Sequence, residues 1–330
     1  MKIQGHSKAH SAQQPKAQKP QAPQTPLPNF GFNEAWGRWD VSTDQLAQMA
    51  QQTGAQVGRL NVCWDQIETS PGVYDQAALG RLDDTIAAME AHGIKPVLVA
   101  ISAPAWSHPS NPDPTARIPQ DPQFDGAFGN FTAMVANRYK DAAAIEIWNE
   151  PNLPDYGNIP PQRYAQMLTA ATAAIHAQSP DTKVLSAGLS PVNQTKDHPS
   201  WEQYLKVVMQ NAKGDFDVAI HPYARGGDAK TLAAKTERQY AEARQIAQRD
   251  IWITEMGFSS GDMSQTKQAK ALRDTFEQLE GKKHLESVIV HRLMDDPTYQ
   301  PGSSFEQGLG MVDASGAPKK AFRMLRRIYG

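Results

Sequence analysis

Between residues 30 and 328, eight short apolar or β-branched runs alternate with segments whose apolar residues recur at helical spacing. The runs are Asn29–Phe32, Gln56–Cys63, Pro96–Ile101, Ile145–Ile147, Lys183–Gly188, Phe216–Ile220, Ile251–Thr254 and Val288–Val290. Strict alternation of this kind favours parallel strands joined by crossover helices. The third run is almost continuously apolar, as expected of a strand covered on both faces. The helices carry their own start and stop signals. Ser42 with Gln45 forms a capping box, Asp75 can cap the next helix, Pro161 suits a first helical position, and Gly54 and Gly93 can end helices. Eight such units in order predict an α/β fold, a (β/α)8 TIM barrel. An open doubly wound sheet is the alternative, but no glycine-rich phosphate fingerprint follows the first strand.

Residues 1–29 differ in kind. They are rich in Gln, Pro, Ala and Lys, hold no acidic residue, and include only Met1, Ile3 and Leu27 as sizeable apolar side chains. Such a segment buries too little surface to offset its ordering entropy, so a disordered tail is expected before a single domain over 30–330. The N-terminus lacks the apolar core of a standard secretory signal, which leaves export by a non-standard route and a cytoplasmic location both open. A formal net charge of −2 gives no reason to expect nucleic acid or a membrane surface as partner, and a monomer is expected. The single cysteine, Cys63, excludes an internal disulfide framework, and nothing in the pattern calls for a metal or cofactor.

Chemistry concentrates at two strand ends. Trp148-Asn149-Glu150-Pro151-Asn152 follows the fourth strand, and the seventh runs directly into Glu255. On a barrel the C-terminal strand ends share one mouth, so carboxylates on strands four and seven face each other across it. Paired carboxylates flanking one bond are what glycoside hydrolysis requires. A separation of about 5–5.5 Å retains anomeric configuration, and about 6.5–9.5 Å leaves room for an inverting water.

Ile147-Trp148-Asn149-Glu150-Pro151-Asn152 and Trp252-Ile253-Thr254-Glu255-Met256-Gly257 resemble the paired motifs of retaining glycoside hydrolases of the large barrel clan. The likeness spans Phe30 to Ile328 and is nearest to glycoside hydrolase family 39 and its exopolysaccharide-hydrolase relatives, with the cellulase-type family 5 as neighbour. It implies cleavage of a β-linked oligo- or polysaccharide by double displacement, with Glu150 as acid/base and Glu255 as nucleophile. It further implies that Asn149 contacts the sugar 2-hydroxyl, that Arg59 pairs with the nucleophile carboxylate, and that Tyr223 orients it. His221 reads either as part of this group or as a satisfied wall histidine. Trp36, Trp39, Trp64, Trp106 and Trp148 lie near strand ends, where sugar faces could stack, and Trp106 is the preferred platform. At the end of strand eight, where many clan members place a tryptophan, this chain reads Val290-His291-Arg292-Leu293, so Arg292 is the side chain expected to meet the sugar there. A non-catalytic carbohydrate-binding barrel and a transglycosylase on the same scaffold are the alternatives, and a metal hydrolase is disfavoured by the scattered histidines.

Overall fold

The computed structural model describes residues 29–37, 41–108, 121–195, 199–300 and 302–330. The expected tail before Asn29, and Trp39, lie outside these residues. Eight parallel strands, β1 (Phe30–Asn33), β2 (Val57–Cys63), β3 (Lys95–Ile101), β4 (Ala144–Ile147), β5 (Val184–Ser186), β6 (Val218–Ile220), β7 (Ile251–Met256) and β8 (Leu285–His291), form one sheet. Its order is β5-β4-β3-β2-β1-β8-β7-β6. Its outer strands meet through single parallel bridges, Leu185 with Asp217 and Leu189 with Ile220, which bring the ring to near closure. The fold is therefore the expected (β/α)8 barrel.

Each strand is followed by a helix: α1 (Thr43–Gln51), α2 (Gln76–Ala91), α3 (Asp125–Arg138), α4 (Pro161–Gln178), α5 (Trp201–Asn211), α6 (Ala229–Ala247), α7 (Gln265–Leu279) and α8 (Lys320–Ile328). The sequence signals operate as expected. Ser42 and Gln45 close a reciprocal capping box, Asp75 accepts from the backbone of Ala77 and Ala78, and Pro161 opens α4. Two features were not foreseen. Ser200 and Gln203 form a second capping box on α5, and a small antiparallel hairpin of Glu68–Ser70 and Val73–Tyr74 projects after β2.

The barrel interior is layered by the two-residue period of its strands. Val57, Val97, Ala144, Leu185, Ala219, Trp252 and Ile289, one from each of β2 to β8, form a buried apolar plug. Two positions further along four of these chains stand Arg59, Glu146, Thr254 and His291, and beyond β6 stands His221. All five are buried, so a polar layer rests directly on the apolar one. The larger core lies outside the barrel, where residues such as Phe128, Phe131, Leu168 and Phe276 fill the space between strands and helices.

Candidate active site

The polar layer is organised by Arg59. Its guanidinium is almost wholly buried, so each N–H needs a protein acceptor. Nε donates to Glu146 Oε2 at 2.7 Å and Nη2 to Glu146 Oε1 at 3.1 Å, a two-pronged pair. Nη2 also donates to Asn149 Oδ1 at 2.7 Å, and Nη1 to Glu255 Oε1 at 2.6 Å. Burial works against the Arg59 charge, but the fields of Glu146 and Glu255 outweigh it and push its pKa further up. Glu146 is completed by Gly188 N–H at 2.9 Å and the Thr254 hydroxyl at 3.3 Å. One cation thus fixes side chains from β2, β4 and β7 together.

Glu255 reaches the mouth because β7 carries an extra residue against β8. Val288 pairs with Ile253 but Val290 with Met256, so three residues on β7 span what two span on β8. That bulge breaks the alternation and lets Thr254 and Glu255, although consecutive, both face inward. Tyr223 donates to Glu255 Oε2 at 2.9 Å, opposite the Arg59 contact. Burial raises the Glu255 carboxyl, but His221, Arg59 and the Tyr223 hydrogen bond overcome it and hold the group at about 2. For Tyr223, burial and the charges of Glu255 and Glu150 drive the phenol well above its ordinary range, so it remains a donor.

Glu150 is aimed differently. Trp148 and Glu150 both have left-handed backbone angles, φ 76° and 38°, an uncommon state for such residues that the surroundings must enforce. The enforcement is visible. Trp148 N–H bonds Ala100 O, Glu150 N–H bonds Gly188 O, and the Trp148 indole donates to Tyr156 O. Asn152 exchanges two hydrogen bonds with the Ser190 backbone. The turn directs Glu150 Oε1 to His221 Nδ1, 2.9 Å away. The other ring nitrogen, Nε2, lies 3.1 Å from Thr254 Oγ1. Because that hydroxyl gives its hydrogen to Glu146, Nε2–H is the donor to it, so a neutral His221 has Nδ1 as an acceptor facing Glu150. The contact therefore holds one proton, on the carboxyl or on the ring. Burial lowers the His221 pKa, but the neighbouring Glu255 and the bond to Glu150 leave it raised overall. Gly188 makes room for the ring: a Cβ there would meet His221 Nε2 at 2.1 Å.

His221 Nδ1 is 2.9 Å from Glu150 and 3.9 Å from Glu255 Oε2. By the triangle these distances form, the nearest oxygens of the two carboxyls stand no more than about 7 Å apart, a ceiling that covers the retaining separation and only the short end of the inverting one. Both glutamates line a cavity of about 710 Å³, a normal size for a ligand site. Asn149, Arg59, Tyr223 and Arg292 also line it. Arg59 claims the Asn149 oxygen, which leaves the amide NH2 as the group offered to the cavity.

The tryptophans are a correction to the stacking expectation. None of Trp36, Trp64 and Trp106 lines this cavity. Trp64 is fully buried against Phe128 and Phe131, and its indole is tied to Glu68 at 2.5 Å. Trp36 is buried with its N–H on Arg59 O. Trp106 packs edge-on against Trp64 and donates to Glu68 O, so the preferred platform is bonded into the hairpin region. Trp148 is likewise buried. Large flat side chains near strand ends were drawn into the strand–helix core, where they bury the most area.

Glu146, Thr254 and His291 were missed by sequence reasoning. The signal for Glu146 was a lone carboxylate between Ile145 and Ile147, in phase with the barrel interior. His291 accepts from the Asn33 amide through Nδ1 at 2.9 Å, and burial depresses its pKa to about 4, so the ring is neutral with its hydrogen on Nε2. Among the described residues no group of three or more His, Cys, Asp or Glu side chains is arranged to hold a metal ion, and no helix is long and apolar enough to cross a membrane.

The family model "Cellulase (glycosyl hydrolase family 5)" matches residues 20–284. No curated protein matches the chain. Among solved structures, a family 39 glycoside hydrolase from Bacteroides cellulosilyticus WH2 superposes with a TM-score of 0.68 at 19% identity, covering 92% of this chain and 63% of that one. An exo-β-1,4-mannosidase from Opitutaceae bacterium strain TAV5 gives 0.67 at 17% identity, over 93% and 61%. This chain thus spans less than two thirds of either. A GH5_18 protein of Streptomyces cattleya in complex with Manβ1-4GlcNAc gives 0.72 at 15% identity, over 92% and 80%. At these identities the superpositions speak for the fold.

Proposed function

The chain belongs to the cellulase family, glycosyl hydrolase family 5, and on that footing we propose that it is a retaining glycosidase acting on a β-linked oligo- or polysaccharide. Glu255 attacks the anomeric carbon. As the C–O bond to the leaving sugar breaks, Glu150 delivers a proton to the departing oxygen, and a glycosyl ester on Glu255 results. Glu150, now ionised, takes a proton from water, whose oxygen displaces Glu255 and returns both groups to their starting states.

The observation that carries this reading is the unequal treatment of the two carboxyls. Glu255 accepts from Arg59 and Tyr223 and is held at about 2, the condition of a nucleophile that stays ionised. Glu150 shares one proton with His221, the condition of a group that gives and takes protons in alternate steps. The Asn149 amide, locked by Arg59, can donate to the sugar 2-hydroxyl, a contact that strengthens as positive charge develops at the anomeric carbon. The likeness to a structure carrying Manβ1-4GlcNAc and to an exo-β-1,4-mannosidase supports a β-linked sugar as the substrate class.

The test is the anomeric configuration of the first-formed product, read by proton NMR on a panel of β-linked oligosaccharides. Net retention is expected; an inverted first product sinks the double-displacement scheme.

A further inference from the structure

On the proposed glycosidase reading, one part of the cavity wall is expected beside the sugar but takes no part in the two proton-transfer and displacement steps. It lies at the end of β8 and is made by Arg292, Glu34, Asp296 and Tyr299, all lining the cavity. Arg292 is 96% buried, being 4% exposed. Its Nη2 lies 3.1 Å from Glu34 Oε1, its Nη1 lies 3.4 Å from Asp296 Oδ2, and its guanidinium sits 5.2 Å from the Tyr299 ring centroid. Glu34 is held at three points, since it also accepts from the backbone of Ala35 at 2.8 Å and of Met294 at 2.9 Å. The pair is therefore rigid, and it is pinned to the chain on both sides. Yet among the described residues Arg292 Nε has no acceptor, and the atom is also sealed from the cavity. The donors open to a ligand oxygen are therefore the N–H groups of Nη2 and Nη1 that Glu34 and Asp296 do not use, on a side chain that lines the cavity.

We propose that Arg292, braced by Glu34, is the specificity-determining residue of this cavity, and that it reads a hydroxyl of an uncharged sugar by hydrogen bonding rather than by stacking. Charge decides between sugar classes. The guanidinium already faces two carboxylates, Glu34 and Asp296, and Asp155 and Glu306 also line the cavity. The cavity lining sets three guanidinium groups, Arg59, Arg225 and Arg292, against six carboxyl groups, Glu34, Glu150, Asp155, Glu255, Asp296 and Glu306, so a uronate or sulfated sugar would add an anion where carboxyls are already in excess, whereas a neutral hydroxyl supplies an acceptor and brings no charge. A planar, always-charged guanidinium holds such a hydroxyl in a fixed direction, so the position and orientation of one substituent are discriminated.

The experiment is a coupling measurement between side chain and substrate. Aryl β-glycosides of neutral hexoses, their monodeoxy analogues and the matching uronides are compared for kcat/KM in the parent protein, Arg292→Gln and Arg292→Lys. In the parent, removal of one particular hydroxyl is expected to cost about 10–100-fold, the scale of a hydrogen bond to a charged group. In Arg292→Gln the same removal should cost less than about threefold, while the other deoxy positions keep their parental penalties. Arg292→Lys, which preserves the charge against Glu34, should fall between the two and serves in place of the glutamine variant if that one does not fold. Equal penalties at every position in parent and variants, or a uronide turned over faster than its hexoside, overturns the assignment. If the parent cleaves no aryl glycoside, the glycosidase reading itself fails. The same deoxy series in binding calorimetry then decides the role of Arg292 alone.

Discussion

Glu150 and Glu255 face one cavity from strand ends built in opposite ways. Glu255 belongs to a continuous strand with a bulge before it, and two donors, Arg59 on β2 and Tyr223 just beyond β6, grip its carboxylate. Glu150 sits on a turn with left-handed residues on either side of Asn149, and among the described residues its carboxyl has one side-chain partner, a histidine able to exchange a proton with it. A carboxylate meant to stay charged is surrounded by donors, while one meant to cycle is left with a partner that can accept as well as give. The contrast locates the division of labour in the environment of two chemically identical side chains.

Breaking the stronger grip should produce the largest effect. Glu255→Ala removes the attacking atom, and a loss in kcat of about 10⁴-fold or more is expected in steady-state assays, with an unchanged circular dichroism spectrum. A Glu255→Ala protein with undiminished turnover would falsify the nucleophile assignment. Glu150→Ala removes only proton transfer, so a loss of about 10²–10⁴-fold is expected with poor leaving groups. The loss should shrink with activated aryl leaving groups, and azide should restore turnover with a glycosyl azide as product. Failure of both rescues would place Glu150 outside the proton-transfer step.

The shared brace gives a stability prediction. Arg59→Met leaves Glu146 buried without its cation and should destabilise the fold by about 3–5 kcal/mol, measured by urea unfolding. A destabilisation under about 1 kcal/mol would show that Glu146 is satisfied without Arg59.

The smallest effect concerns His291 and sharpens the comparison at low pH. Its folded pKa, about 4, lies below its ordinary 6.5, so between these values the unfolded chain binds the extra proton. The His291 contribution to stability is therefore full above about pH 6.5 and declines as pH falls towards 4, by at most on the order of 3 kcal/mol. Glu255, whose folded value of about 2 lies below its ordinary 4.5, adds a second decline only below about pH 4.5. His291→Asn should flatten the upper slope and spare the lower one in midpoint-versus-pH unfolding curves. An unaltered slope between pH 6.5 and 4 counts against a buried neutral ring.

From the chain alone, the order of strands and helices could be read because it rests on local quantities. Hydrophobic period, caps and turn residues act within a few positions, and Ser42, Asp75 and Pro161 serve the helices to which they were assigned. Eight alternating units leave few compact arrangements other than a barrel, and with the barrel comes a common mouth for Glu150 and Glu255. Tertiary structure decided everything that depends on where an extra residue or an unusual φ redirects a side chain. The β7 bulge turns Glu255 inward, the turn at Trp148 and Glu150 sets the second carboxyl against His221, and Glu146 takes the bidentate grip of Arg59. The tryptophans went the other way, into the strand–helix core, because burial rewards area regardless of sequence position. Local pattern assigns a residue to a strand end, but only the packing of all eight strands determines whether it meets the cavity or the core.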